Sequence, residues 1–337
     1  MDDRATIWSV AAELARATVP AALATISRRR GSLPMASDAK MLVTVEGRRW
    51  GTVGGGCVEA DVIEQALAAV DQGEPASVSH TLNADLAGDI GLSCGGTAEF
   101  FLEPVLTTDE AVSLYGRVAH AIEARVPTVV YTATTWPNGP RKLALMNGDV
   151  VAVGERLEVE SIEVEADNVS FLDEESGVFV EPIPRMPRVV IFGAGHVGKE
   201  IAQLARSVGF YVVAIDDRAE FANVERLPWA NEVIAEDFRS VLDRLQFDED
   251  DYVLATTRGH SFDAYIIERT AASPARYVGM LGSKRKKAVI MKALAEAGVP
   301  QDALDRVVTP IGVPIGADTP AEIAVSVVAE IVRERRM

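Results

Sequence analysis

The chain has 337 residues, enough for about two domains of ~150 residues each. Apolar residues make up 48% and charged residues 25%, which excludes a disordered chain. A formal charge of −17 excludes nucleic acid as a general partner, because like charges repel, and makes any basic cluster stand out.

In chain order, apolar residues Ile7, Val10, Ala11 and Leu14 at helical spacing predict a first helix over 6–17. Strands are expected at Ala21–Ile26, Lys40–Val45 and Arg49–Val53, with a basic, turn-rich loop from Ser27 to Pro34. Gly54-Gly55-Gly56-Cys57 follows, then a helix from Val58 to Val70. A polar stretch, Asp85–Gly91, leads to Ser93-Cys94-Gly95-Gly96 and a strand over Ala98–Leu102. A helix over 109–124 and a strand over 127–135 come next. Antiparallel strands are expected from Leu143 to Val180, where Leu157, Val159, Ile162 and Val164 alternate with acidic residues. Pro182, Pro184 and Pro187 mark a linker. No internal repeat is visible.

Beyond that linker the pattern changes to alternating strand and helix. Strands are predicted at 188–192, 211–215, 232–234, 252–256, 277–281 and 306–309, and helices at 195–207, 238–245, 262–272, 284–297 and 320–335. Unbroken apolar strands such as Val189-Val190-Ile191-Phe192 suit a parallel sheet covered on both faces. The expected fold is α/β: an N-terminal α+β domain over 1–184, and a Rossmann-like doubly wound domain over 188–337.

The loop Gly193-Ala194-Gly195-His196-Val197-Gly198 follows a strand and opens a helix, which is the setting a dinucleotide fingerprint requires. Its amides and the helix dipole suit a phosphate. Asp216, at the end of the second strand, is placed to bond a ribose diol, while Arg218 would meet a 2′-phosphate, so NAD and NADP both stay open. The alternative is a Rossmann fold that has lost its nucleotide and keeps its glycines for packing. Two further loops fall at the same sheet edge. One carries Arg258, Gly259 and His260, a histidine able to act as acid, base or ligand. The other carries Gly282, Ser283, Lys284, Arg285, Lys286 and Lys287, and four cations opposing a helix dipole suggest a bound anion. Pro310 to Pro320 forms a long loop over this edge.

Cys57 and Cys94 sit in glycine-rich turns, where they are candidates for catalysis or for binding a soft metal; the alternative is small buried hydrophobes. Two cysteines cannot hold the two [2Fe–2S] clusters of a molybdenum hydroxylase, each normally bound by four. Few cysteines, no signal-peptide pattern at Met1–Ala5 and no apolar run near 18 residues point to a cytoplasmic protein with no membrane span.

These motifs together resemble the XdhC/CoxI family of molybdenum-enzyme accessory proteins. The resemblance is carried by Arg30–Pro34, Ala39–Val43, Gly51–Glu59 and Leu92–Gly96. It continues through Phe192–Gly198, Thr257–His260, Tyr277–Arg285 and Pro310–Ala324. Met35 departs from the arginine expected there, and Phe262 from a second polar residue. The resemblance implies a chaperone that binds molybdenum cofactor (molybdopterin), supports its sulfuration and passes it to a molybdenum hydroxylase apo-enzyme. It further implies a cysteine desulfurase as a second partner, and a homodimer is expected. The competing readings are an NAD(P)-dependent oxidoreductase with His260 as proton donor, and a nucleotide-sensing module.

Overall fold

The structure, a computed structural model, describes residues 3–82, 95–164 and 169–337. It divides into two compact units, residues 2–185 and 186–337. Among the described residues no helix is long and apolar enough to cross a membrane.

The first unit runs α1 (Asp3–Arg16), β1 (Ala21–Gly31), β2 (Lys40–Thr44), β3 (Arg49–Thr52), α2 (Gly56–Gln72), β4 (Ala76–Leu82) and β5 (Gly96–Pro104). It continues α3 (Asp109–Glu123), β6 (Thr128–Ala133), β7 (Lys142–Met146), β8 (Asp149–Val153), β9 (Phe171–Asp173) and β10 (Val178–Ile183). Two antiparallel sheets result, in the orders β3-β2-β1-β5-β4 and β8-β7-β6-β10-β9.

These are the same order by rank, and the unit is a structural duplication that the sequence hides. Thr25 pairs with Lys40 and Leu23 with Glu103 in one sheet; Thr132 pairs with Lys142 and Val130 with Glu181 in the other. Trp8 precedes Thr25 by 17 positions (25 − 8), and Tyr115 precedes Thr132 by 17 (132 − 115). Seven positions before those threonines, Thr18 and Arg125 follow their helices with φ of 52° and 58°. As a contiguous run the repeat is visible in Phe101-Leu102-Glu103-Pro104 against Phe179-Val180-Glu181-Pro182.

The halves are cross-linked by charge. Lys40 donates to Glu181 at 2.7 Å and to Thr25 at 2.9 Å, and Lys142 donates to Glu103 at 2.7 Å and to Thr132 at 2.8 Å. Trp8 lies under both ammonium groups, 4.6 and 5.4 Å from its ring centre. Phe101 and Phe179 stack at 4.4 Å. Burial pulls the Lys142 ammonium below its ordinary pKa, against the opposing pull of Glu103.

Three expectations need correction here. Ser27 to Gly31 is not a loop: β1 continues through it past a bulge, with Arg28 to Arg30 opposite Glu99, Ala98 and Thr97. Leu157 to Val164 form no strand; Leu157 is buried and Val159, Ile162 and Val164 pack against the same cluster as Tyr131 and Trp136. Pro182 lies inside β10, which is tolerated because β9 reaches only Val178 to Val180 and so needs no N–H from it.

The second unit runs β11 (Arg188–Phe192), α4 (His196–Ser207), β12 (Tyr211–Asp216), β13 (Glu232–Ala235), α5 (Phe238–Leu242) and β14 (Asp251–Ala255). It continues α6 (His260–Thr270), β15 (Tyr277–Met280), α7 (Lys284–Glu296), α8 (Gln301–Asp305) and α9 (Pro320–Arg336). The sheet is wholly parallel in the order β13-β12-β11-β14-β15, a Rossmann-type doubly wound arrangement. Alternate residues of β11 feed two cores. Val190 and Phe192 pack with Phe238, Ile266 and Ile290, while Val189 and Ile191 pack with Ile201, Val327 and Ile331. That is why the strand is apolar throughout. The strand expected at 306–309 is only a single bridge, Val308 to Gly279. The strand order switches at β11, with β12 on one side and β14 on the other, which opens a crevice at their carboxyl ends.

Candidate phosphate-binding cleft

The turn after β11 explains its glycines one at a time. Gly193 has φ +107°, and a methyl group on it would lie 2.5 Å from the Thr256 carbonyl oxygen. The exit of β14 therefore crosses directly over it, pinned by the Thr256 hydroxyl donating to the Gly193 carbonyl at 2.8 Å. A methyl on Gly198 would stand 2.0 Å from the Gly193 oxygen, so that glycine lets α4 close on the turn. Gly195 is different. Its φ is −63°, which any residue adopts, and a methyl there would meet no atom within 4 Å. Packing accounts for Gly193 and Gly198; Gly195, the N-cap of α4, has no packing contact that excludes a side chain. Beside it lies a cleft of about 220 Å³ lined by His196, Asp216, Arg218, Thr257 and Arg258. The first turn of α4 leaves N–H groups without intrahelical partners there, the usual donors to a phosphate. His196 is the first residue of α4 and is exposed; Val197 is half-buried and Ala194 buried.

Asp216 and Arg218 are brought together rather than offered as alternatives. Asp216 is 1% exposed. One carboxylate oxygen accepts the Ala194 amide at 2.9 Å and an Arg218 guanidinium N–H at 3.0 Å. The other accepts the Arg218 amide at 3.1 Å and its Nε at 2.8 Å. Burial works to raise this carboxyl's pKa, but the bonds from Arg218 and Ala194 outweigh it and hold it below 3.8. Beside this pair, Arg258 donates to both oxygens of Asp217 at 2.9 Å.

The neighbouring loops are tied by a residue that sequence reasoning missed. Buried Asp263, in the first turn of α6, accepts from the Thr257 hydroxyl at 2.8 Å and from Lys286. Lys286 also donates to the Leu281 carbonyl at 2.9 Å. Together they lock the Thr257–Gly259 turn to the turn before α7. An acid in a first helical turn reads as ordinary dipole complementation, so its sequence signal is weak. The basic run is thus not a uniform anion patch: Lys286 is spent internally, while Lys284 and Arg285 are exposed. Ser283 caps α7 by accepting the Lys286 amide at 3.2 Å, and Gly282 lies against the Lys286 side chain. Gly259 caps α6, which His260 opens; the His260 side chain is outside the described residues. The loop from Pro310 is held where Glu330 accepts from the Tyr277 hydroxyl at 2.6 Å and the Gly312 amide at 2.7 Å.

In the first unit, Cys57 is exposed near the start of α2. Glu59 steadies the turn before it, accepting from the Thr52 hydroxyl at 2.6 Å and the Val53 amide at 3.3 Å. Met35 is buried in the core under β1 and β2, and a methyl on Gly54 would lie 2.8 Å from its terminal carbon. At this position the chain makes a core contact in place of the arginine that the family resemblance leads one to expect. Cys94 lies outside the described residues. Among the described residues no group of three or more His, Cys, Asp or Glu could hold a metal ion.

Comparison with known proteins agrees with this architecture. The family model described as the XdhC Rossmann domain matches residues 189–331, and that of the XdhC and CoxI family matches residues 14–81. The chain belongs to the XdhC/CoxI family. Family relatives include a protein of Bacillus subtilis named as a probable xanthine dehydrogenase subunit, 28% identical over 94% of this chain and 93% of its own. The molybdenum cofactor insertion chaperone PaoD of Escherichia coli is 22% identical, over 99% of this chain and 89% of its own. YqeB of Escherichia coli is 28% identical over 97% of this chain, which spans only 46% of YqeB. A crystal structure named as a xanthine dehydrogenase from Bacillus halodurans has 28% identity and a TM-score of 0.80, covering 100% of this chain and 96% of that one.

Proposed function

We propose that this protein is an accessory chaperone that binds molybdenum cofactor as cargo, supports its sulfuration and passes it to a xanthine dehydrogenase-type apo-enzyme in the cytoplasm. The observation that carries the reading is Gly195, the N-cap of α4: no packing contact requires a glycine there, and its bare backbone leaves the α4 amides open to a phosphate. Membership of the XdhC/CoxI family and the similarity to a molybdenum cofactor insertion chaperone supply the cargo. Gly195, His196 and Val197 would hold the phosphate, with Lys284 and Arg285 at the same sheet edge. Exposed Cys57 would be a candidate soft ligand for molybdenum. Sulfur would come from a cysteine desulfurase.

The test is to express the full chain in a host that makes molybdenum cofactor, release small molecules by denaturation, and measure oxidised pterin by fluorescence. A pterin content approaching one per chain supports the reading. Its absence, with turnover of NADP on a small metabolite, would replace it with an oxidoreductase.

A further inference from the structure

A Rossmann site that reads a ribose diol needs an acid at the end of its second strand with acceptors free for two hydroxyl groups. Asp216 occupies that place and has none to give. A carboxylate offers about four lone-pair positions, and its four hydrogen bonds go to the Ala194 amide, the Arg218 amide and two guanidinium N–H groups. A diol would have to displace the Arg218 fork and strip charge-assisted bonds from a buried acid.

The electrostatics run the same way. A bare carboxylate repels a phosphate, whereas here the charges of Asp216 and Asp217 are cancelled by Arg218 and Arg258. Both arginines line the cleft. The Arg218 guanidinium carbon lies over the Phe221 ring, 3.6 Å from its centre, a contact that helps hold the fork without using its remaining donors. Arg258 is bound through its two terminal nitrogens and keeps further N–H groups on a half-exposed side chain. Two guanidinium groups held in place by their acids present donors whose geometry matches a phosphate monoester, with the carboxylate charges beside them offset.

From this we propose that the cleft binds a nucleotide bearing a phosphate on its ribose, in preference to one with a free diol. The proposal rests on the reading of this cleft as a phosphate site and is independent of which cofactor is passed on. Titration calorimetry of the full chain would compare 2′,5′-ADP with 5′-AMP, which differ by that phosphate alone. The expected result is binding of 2′,5′-ADP at least about tenfold tighter, a difference of about 1.4 kcal/mol. Arg258→Ala, on a half-exposed side chain, should bring the ratio to about one while the melting temperature holds; Arg218→Lys, which keeps the charge and loses the fork, should reduce it. Equal affinities, tighter binding of 5′-AMP, or no binding of either would overturn the proposal. So would a gain in 5′-AMP affinity in Arg218→Lys, because it would mark Asp216 as a masked diol reader. Pterin content of the same preparation is measured separately, so loss of the chaperone reading and loss of this one are distinguishable.

Discussion

The two units use the same chemistry, a cation paired with a carboxylate, in opposite surroundings. In residues 2–185 the Lys142 and Glu103 side chains are 0% and 2% exposed and meet at 2.7 Å between two sheets. In residues 186–337 the Arg258 and Asp217 side chains are 48% and 20% exposed and meet at 2.9 Å at the rim of a cleft. A pair enclosed by protein on every side has spent all its donors on the fold. A rim pair holds its geometry and still presents N–H groups outward. Burial, rather than the presence of charge, separates the structural pair from the one that can read a ligand.

The comparison can be broken most sharply in the first unit. Lys142→Met leaves Glu103 charged and alone, and should cost about 3–5 kcal/mol in urea unfolding. Adding Glu103→Leu should recover most of that loss, because a packed apolar pair can replace a buried ion pair. A single-variant loss near zero would mean the duplicated halves are not held by charge.

In the second unit Gly198→Ala pushes a methyl into the Gly193 carbonyl, and should cost about 1–3 kcal/mol, read by the same unfolding curve. A smaller effect is expected with pH. The Asp216 carboxyl is held below 3.8, so its contribution is complete above that unfolded value and is lost as pH falls through the lower folded one. Asp216→Asn should therefore flatten the acid side of the stability curve below about pH 4 and leave the neutral side parallel to wild type. At the small end stands the exposed Arg244–Glu236 pair at 2.7 Å. Glu236→Gln should leave the melting temperature unchanged, since surface pairs are screened by water.

The Rossmann unit was the more legible half because its signals are local. A strand such as Val189–Phe192 is apolar at every position, and the glycine turn follows at once. The duplication was not legible, because its evidence is register: in the pairs Thr25–Lys40 and Thr132–Lys142 the threonines are 107 residues apart (132 − 25) and the lysines 102 (142 − 40), with few identities around them. β4 was missed for a related reason. Ala76 to Leu82 is a polar edge strand, paired among the described residues with β5 alone, and lacks the apolar content of an inner one. At the site, the glycine loop and the residues Asp216, Arg218 and Arg258 were all legible as candidates. Their partnership was not, since spacing cannot say whether an acid and an arginine two positions apart face a ligand or each other. Asp263 carried its function through Thr257 and Lys286, contacts that only the fold creates.

The central claim is that Gly195 is kept open for a phosphate, and Gly195→Ala tests it directly. The added methyl touches nothing in the chain, so the stability cost should be only that of alanine at an N-cap, about 0.5–1 kcal/mol, with the fold retained. Retained pterin and affinity for 2′,5′-ADP should both fall by at least about tenfold, the measure of a blocked phosphate approach. Full ligand retention in a normally folded Gly195→Ala protein would contradict the account.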